Sequence, residues 1–284
     1  MEVIKQVSTI REKMQALRCS GKRIGFVPTM GALHEGHLQL LRASARENDI
    51  TVCSIFVNPT QFNNPNDYKL YPRTSEQDIR LLQSVNCDYL FLPDAQEVYT
   101  QQSLLKFSFG ELETVMEGEH RPGHFNGVAT IVSKLFHYTL PHKAYFGQKD
   151  LQQVAIVRQL VQALSFDLEL VCYPTVREES GLAMSSRNER LSSEQRQIAA
   201  DLYKALKMAA AMLPEKPVQS VKKEVADYLK SRDQIELEYF EVADPATLQP
   251  VQDVKNAKEV ALCLAAQVGP VRLIDNLLVN LNEE

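Results

Sequence analysis

Over its first two-thirds the chain alternates short apolar runs with segments whose apolar residues recur at helical spacing. Arg23–Val27 (RIGFV), Ile50–Val57 (ITVCSIFV), Asp88–Leu92 (DYLFL), Ala144–Phe146 and Asp167–Tyr173 (DLELVCY) read as strands. Gly36–Asn48, Ser75–Val85, Gly127–Tyr138 and Asp150–Leu164 read as helices. Strand, helix and strand in repetition dictate a parallel sheet, because parallel neighbours need a crossover and a helix supplies it. Ile50–Val57 is β-branched without alternation, which predicts burial on both faces. The expected fold class is α/β. Ligands of such sheets bind outside the carboxyl ends of the strands. The polar segments after Val27, Val57, Phe146 and Tyr173 are therefore the candidate site loops.

After about Thr175 the pattern changes. Ser192–Leu213 is a long Ala-rich helix and Gln219–Lys230 a second one. Ile235–Val242, Glu259–Gln267 and Val271–Val279 follow as strands, separated by polar turns. This predicts a small α+β domain, 176–284, behind a larger one, 1–175. The length of 284 residues suits that division. Apolar residues at 44% and charged residues at 24% exclude disordered and collagen-like classes. A net charge of −5 lacks the basic footprint of a general nucleic-acid binder. The longest apolar runs, such as VALCLAA, are too short to span a bilayer. The N-terminal MEVIKQVSTIREKM is charged, with no apolar signal region. The expectation is a cytoplasmic protein without nucleic-acid or membrane partners. Cysteines stand at 19, 53, 87, 172 and 263, an odd set without CxxC pairs, which argues against a disulfide framework. Cys53 and Cys172 read as buried; Cys19 and Cys87, at segment edges, read as candidates for exposure.

The loop after Val27 reads PTMGALHEGH and runs into a helix. Such a turn is a ready phosphate site, since free backbone N–H groups and the positive end of the helix dipole both face the ligand. His34 and His37 flank Gly36 at the helix start. The same pair also fits capping residues, or half of a metal site completed by His120 and His124. The GxGxxG of dinucleotide folds is missing. Asn58 and Gln61, in NPTQF, place neutral amides at a strand end, suited to a small polar substrate with hydroxyls and a carbonyl. Asn-Pro alone also makes a turn. In AYFGQKDLQQ, Lys149 can pair with a phosphate, and Asp150 can cap the helix or bind a ribose or a cation. In PTVREESGLAMSSRNER, Ser185, Ser186 and Arg187 offer hydroxyls and a guanidinium to a triphosphate. The same stretch also reads as a polar linker. Despite the net charge of −5, His34, His37, Lys149 and Arg187 would gather positive charge in one cleft.

HEGH resembles the HxGH motif of the nucleotidyltransferase superfamily, which includes class I aminoacyl-tRNA synthetases. AMSSR stands where that superfamily has KMSKS, without its lysines. PTMGALHEGH, SIFVNPTQF, YPRT, RPGHFNGVATIVSKLF, YFGQKDLQQ and PTVREESGLAMSSRNERLS occur in order and cover most of 22–192. Together they closely resemble the pantothenate synthetase (pantoate–β-alanine ligase) family; the C-terminal third adds VRLIDN. The resemblance implies a Rossmann-like parallel-sheet domain of nucleotidyltransferase type, and a homodimer formed through it. It implies condensation of (R)-pantoate with β-alanine, using ATP and Mg²⁺, through a pantoyl adenylate, with release of AMP and pyrophosphate. The alternative within the superfamily is transfer of a nucleotide to a small carboxylate or phosphate substrate.

The same resemblance implies roles for single residues. Pro28, Thr29, Met30, Gly31, Gly36, Gly147, Val176 and Met184 would shape the ATP pocket. His34, His37, Lys149 and Arg187 would act in catalysis, with His37 as proton donor. Ser185 and Ser186 would hold phosphate oxygens and Asp150 the ribose. Gln61 and Gln153 would bind pantoate beside Asn58, while Arg121 and His124 would orient β-alanine. Asp78 matches one of two adjacent acidic residues in some relatives, and Gln77 stands at the other position. Mg²⁺ is accordingly expected mainly on the nucleotide phosphates, with Asp78 the candidate protein ligand.

Overall fold

The computed structural model describes residues 1–101 and 103–281; the last residues of the expected second domain, 282–284, lie outside the described residues. Six strands form a parallel sheet: β1 (Glu2–Ile4), β2 (Ile24–Thr29), β3 (Ile50–Ile55), β4 (Tyr89–Phe91), β5 (Lys143–Gly147) and β6 (Glu169–Tyr173). Their spatial order is β1-β4-β3-β2-β5-β6. Between them run α1 (Val7–Cys19), α2 (Glu35–Glu47), α3 (Pro65–Leu70), α4 (Ser75–Ser84), α5 (Ala95–Val98), α6 (Met116–His120), α7 (His124–Thr139) and α8 (Leu151–Ala163).

From β2 the chain steps outward to β3 and β4, then returns through α7 to β5 on the other side of β2. The order reverses between β2 and β5, and a crevice opens at such a switch point beyond the strand ends. It brings the loops PTMGALHEGH and FGQKDLQQ side by side. The central strands are apolar without breaks because both faces are covered. Phe26 and Val52 enter the core under α1, α7 and α8, while Val27 and Cys53 enter the one under α2 and α4.

The structure adds β1 and α1, which the sequence reading leaves unassigned. β1 is a three-residue edge strand whose Glu2 and Val3 are exposed, so it carries no apolar run. Helix α7 begins at His124 instead of Gly127, behind Gly123 in left-handed backbone. Two cysteines differ from expectation. Cys172 is exposed, because β6 is a sheet edge. Cys87 is buried, its thiol donating to the Tyr89 carbonyl at 3.3 Å.

The remaining elements are α9 (Ser193–Met212), α10 (Val218–Lys230), β7 (Ile235–Ala243), β8 (Glu259–Val268) and β9 (Val271–Asn280). The strands form an antiparallel sheet in the order β7-β8-β9. Leu262, Leu264 and Ala266 of β8 pack with Val221, Val225 and Leu206 of α9 and α10. The alternate residues Ala261 and Cys263 pack with Met116 and Ala155 of the first sheet's helices. Burial on both faces explains VALCLAA just as it explains the run in β3.

Candidate active site

His34 is the N-cap of α2, in extended backbone, and His37 lies one turn in. Their ring centroids are 4.1 Å apart. Gly36 makes this possible, since a Cβ there would lie 2.9 Å from the His34 ring. The His34 backbone N–H donates to His37 Nδ1 at 3.4 Å. A neutral ring accepting at Nδ1 carries its proton on Nε2. Burial, then the nearby Lys149 charge, lowers the His37 pKa to about 4. Burial, then His37 and Lys149, lowers His34 to about 2. Both rings are therefore neutral near pH 7, which corrects the expectation of four gathered cations. The histidines and the α2 N-terminus offer N–H donors and a dipole; the positive charge rests on Lys149 and Arg187.

Asn58 is 1% exposed and its amide is fully committed. Its Oδ1 accepts from the Thr60 backbone N–H (3.3 Å), the Thr60 hydroxyl (2.9 Å) and the Tyr99 hydroxyl (2.7 Å). Its Nδ2 donates to the Gly127 carbonyl (3.1 Å) and to Gln61 Oε1 (3.0 Å). Backbone groups thus set the orientation of Asn58, and Asn58 sets that of Gln61. The Gln61 NH₂ donates to Met30 Sδ at 3.4 Å on the wall of the cleft. Asn58 lines the cleft but has no hydrogen left for a substrate, so it positions Gln61 instead of binding. Gly127 permits this docking: a Cβ on it would lie 2.4 Å from the Thr60 carbonyl oxygen.

Lys149 and Asp150 sit on the single turn between β5 and α8, and Gln153 projects from the first turn of α8 into the same cleft. The 174–192 loop folds over from the other side. The Met184 N–H donates to the Val176 carbonyl (2.9 Å), which narrows its base. Ser186 donates its hydroxyl to the Ala32 carbonyl (3.0 Å), stitching this loop to the first one. Its proton is therefore committed within the protein. Arg187 lies 5.4 Å above the Tyr71 ring, and its guanidinium binds Asp67 Oδ2 at 2.7 Å. Arg190 reaches the same carboxylate at 3.2 Å.

One cleft is thus lined by Pro28, Thr29, Met30, His34, Gly36, His37, Asn58, Gln61, Gly147, Lys149, Asp150, Gln153, Val176, Met184, Ser185, Ser186 and Arg187. Four expected site residues stand off its wall. Gly31 faces Ile55 and Asp78. His124 Nδ1 bonds the Gln61 carbonyl at 2.8 Å and Arg121 the same carbonyl at 3.3 Å, so both brace Gln61 from behind. Burial, then Arg121, lowers His124 to about 4, leaving it neutral. Asp78 is 1% exposed and accepts the backbone N–H groups of Ala32 (3.0 Å) and Leu33 (2.8 Å). It anchors the first loop and does not fit the role of a magnesium ligand. The four histidines do not converge either: His120 stacks on Tyr239 in a neighbouring cleft. Among the described residues no group of three or more His, Cys, Asp or Glu is placed to hold a metal ion.

Two partners escaped the sequence reading. Tyr71 lies in the YPRT string, which flagged it without a role. Asp67 carries no local signal, because its partner Arg187 is distant in the chain.

Residues 2–278 match the profile of the family described as Pantoate-beta-alanine ligase. The chain is 46% identical to the pantothenate synthetase of Cytophaga hutchinsonii, over 97% of this chain and 98% of that protein. It is 47% identical to that of Bacteroides fragilis, over 98% of both. The solved pantothenate synthetase from Thermus thermophilus superposes with a TM-score of 0.90 at 40% identity, covering 98% of this chain and 99% of that one. The pantoate-beta-alanine ligase from Francisella tularensis, complexed with beta-gamma ATP and beta-alanine, gives 0.82 at 36% identity, covering 98% and 97%. With the match in sequence and in fold running through nearly the whole chain, this protein belongs to the pantoate–β-alanine ligase family of enzymes.

Proposed function

We propose that the chain condenses (R)-pantoate with β-alanine, using ATP, through a pantoyl adenylate. The observation that carries this reading is the joint in one cleft of a phosphate-binding half and a neutral amide half. His34, His37, Lys149 and Arg187 form the first; Gln61 and Gln153 form the second.

A carboxylate is a poor acyl donor because oxide would have to leave. Attack of the pantoate carboxylate on the α-phosphate expels pyrophosphate and gives the mixed anhydride. The developing negative charge meets the α2 N-terminus, the Nε2–H of His37, Lys149 and Arg187, all preorganised before reaction. Triphosphate beside His37 raises its pKa from the ligand-free value, so the ring can also give up a proton as pyrophosphate leaves. Gln61, with Oε1 held by Asn58, turns its NH₂ to the pantoate oxygens, and Gln153 reads them from the other wall. Phe56, Val128 and Ile131 supply an apolar wall for the geminal methyl groups. The neutral amine of β-alanine then attacks the acyl carbon and AMP leaves. Asp150 takes the ribose. Ser185 and Ser186 face the phosphates, Ser186 through its lone pairs.

Magnesium belongs to the nucleotide phosphates in this reading; no side chain is assigned to it and no step passes through it. The division into 1–175 and 176–284 is part of the proposal, supported by the core that α9, α10 and the second sheet form among themselves, which includes Leu182 of the covering loop. A homodimer formed through the first domain is supported by Leu104 and Leu105, which are 91% and 66% exposed. A cytoplasmic location is supported by the cysteines, all free in the structure. No helix among the described residues is long and apolar enough to cross a membrane.

Product analysis tests the reaction. With ATP and pantoate alone, pyrophosphate release stops near one equivalent per site; β-alanine restores turnover and yields AMP. ADP with phosphate refutes the adenylate route, and a product that keeps its nucleotide points to a transferase.

A further inference from the structure

VRLIDN lies on β9, outside the parallel sheet, and its last two side chains reach loops of the cleft. Asn276 is 3% exposed. Its Nδ2 donates to the carbonyls of Gln148 (2.9 Å) and Lys149 (2.8 Å), and its Oδ1 accepts from Gln148 Nε2 at 3.2 Å. One amide with both hydrogens spent on consecutive carbonyls sets the tilt of both peptide planes. It thereby sets the direction in which Lys149 leaves the backbone. The neighbouring Asp275 holds Arg177 through two bonds of 2.6 and 2.9 Å, and Arg177 bridges to Ala183 at the base of the covering loop. The strand is therefore tied to both loops, and its regular pairing with β8 makes it a rigid support. Neither side chain lies on the wall of the ATP cleft.

We infer that Asn276 is a positioning residue for the ligase reaction, holding the turn that aims Lys149 into the phosphate half of the cleft. The inference rests on Lys149 serving the phosphates, as proposed above.

A double-mutant cycle tests it by single-turnover adenylate formation, with thermal unfolding followed in parallel. Asn276→Ala slows the step about 10- to 100-fold, the scale of a misplacement of roughly 1 Å. In a Lys149→Ala background the same change costs less than about threefold, because Asn276 acts through a lysine that is gone. Rates that multiply in full, or an Asn276→Ala enzyme as fast as wild type, overturn the inference. An unaffected Lys149→Ala overturns the reading of Lys149 and this route with it. A slow Lys149→Ala beside a normal Asn276→Ala overturns the inference alone. Asn276→Ser, which removes less volume, takes the place of the alanine variant under the same criteria if the latter is not recovered folded.

Discussion

Glu117 joins the two sheets and gives a stability prediction with a definite pH signature. It is 6% exposed. Its carboxylate takes Arg272 through bonds of 2.7 and 2.9 Å, the Tyr239 hydroxyl at 3.0 Å and Arg121 at 3.3 Å. Burial pushes its pKa up, but the bonds and charges of Arg272, Arg121 and Tyr239 outweigh burial and lower it from 4.5 to about 2. A carboxylate whose pKa is lower in the folded chain than in the unfolded one stabilises the fold while ionised. The stabilisation is complete above pH 4.5 and disappears as pH falls toward 2. Its full size corresponds to about 3 kcal/mol. Glu117→Gln keeps the shape but removes the charge, leaving Arg272 and Arg121 with less compensation in a buried place. Urea unfolding at pH 7 should find the variant about 3 kcal/mol less stable than wild type. The gap should shrink by about half between pH 5 and pH 3, as protons bind the unfolded wild-type chain first. A variant as stable as wild type at pH 7, or a gap independent of pH, refutes the reasoning.

The cleft gives four further predictions. His37→Ala should slow single-turnover adenylate formation by about 10²- to 10³-fold, the worth of one preorganised donor. Because His37 is neutral above about pH 4 in the free enzyme, kcat/KM for ATP should hold or rise, and not fall, as pH drops from about 8 to 5, a rise marking a ring that takes up a proton before giving it to pyrophosphate; a fall with a midpoint near 6.5 would show a ring free to titrate. Gln61→Ala should raise the pantoate KM about tenfold or more, the scale of a lost hydrogen bond to a charged group, with ATP binding unchanged. Unaltered kinetics for both substrates would remove Gln61 from the site. Gly127→Ala should destabilise by about 1–3 kcal/mol and raise the pantoate KM, since the Gln61 turn must move. Normal melting and kinetics would show that the close approach is unnecessary.

The parts legible in the sequence share a physical basis. Ile50–Ile55 and Val260–Ala266 are buried on both faces, so their apolar runs announce strands without knowledge of the neighbours. The loop strings announce the walls of one cleft, because polar, glycine-containing turns at strand ends and helix N-termini lie beyond the sheet wherever they occur. The edge strand Glu2–Ile4 stayed hidden because an exposed strand has no such run. The His34 and His37 protonation states were also out of reach, since burial and the neighbouring Lys149 set them.

By itself, then, the sequence determined the alternating elements, the candidate loops and the chemistry of the side chains on them. Tertiary structure alone decided the strand order, and with it that β2 and β5 meet at a crevice. It also decided which polar side chains remain available. Asn58, Asp78, Arg121 and His124 are spent on backbone groups, whereas Gln61 and Lys149 face the cleft. Some of the bonds behind them span long separations: the Gly127 carbonyl holds Asn58, which orients Gln61, and Asn276 bonds the Lys149 carbonyl from 127 residues away. Local sequence encodes what a side chain can bond; only the closed fold determines what it does bond, because pairing across such separations depends on every strand being in place.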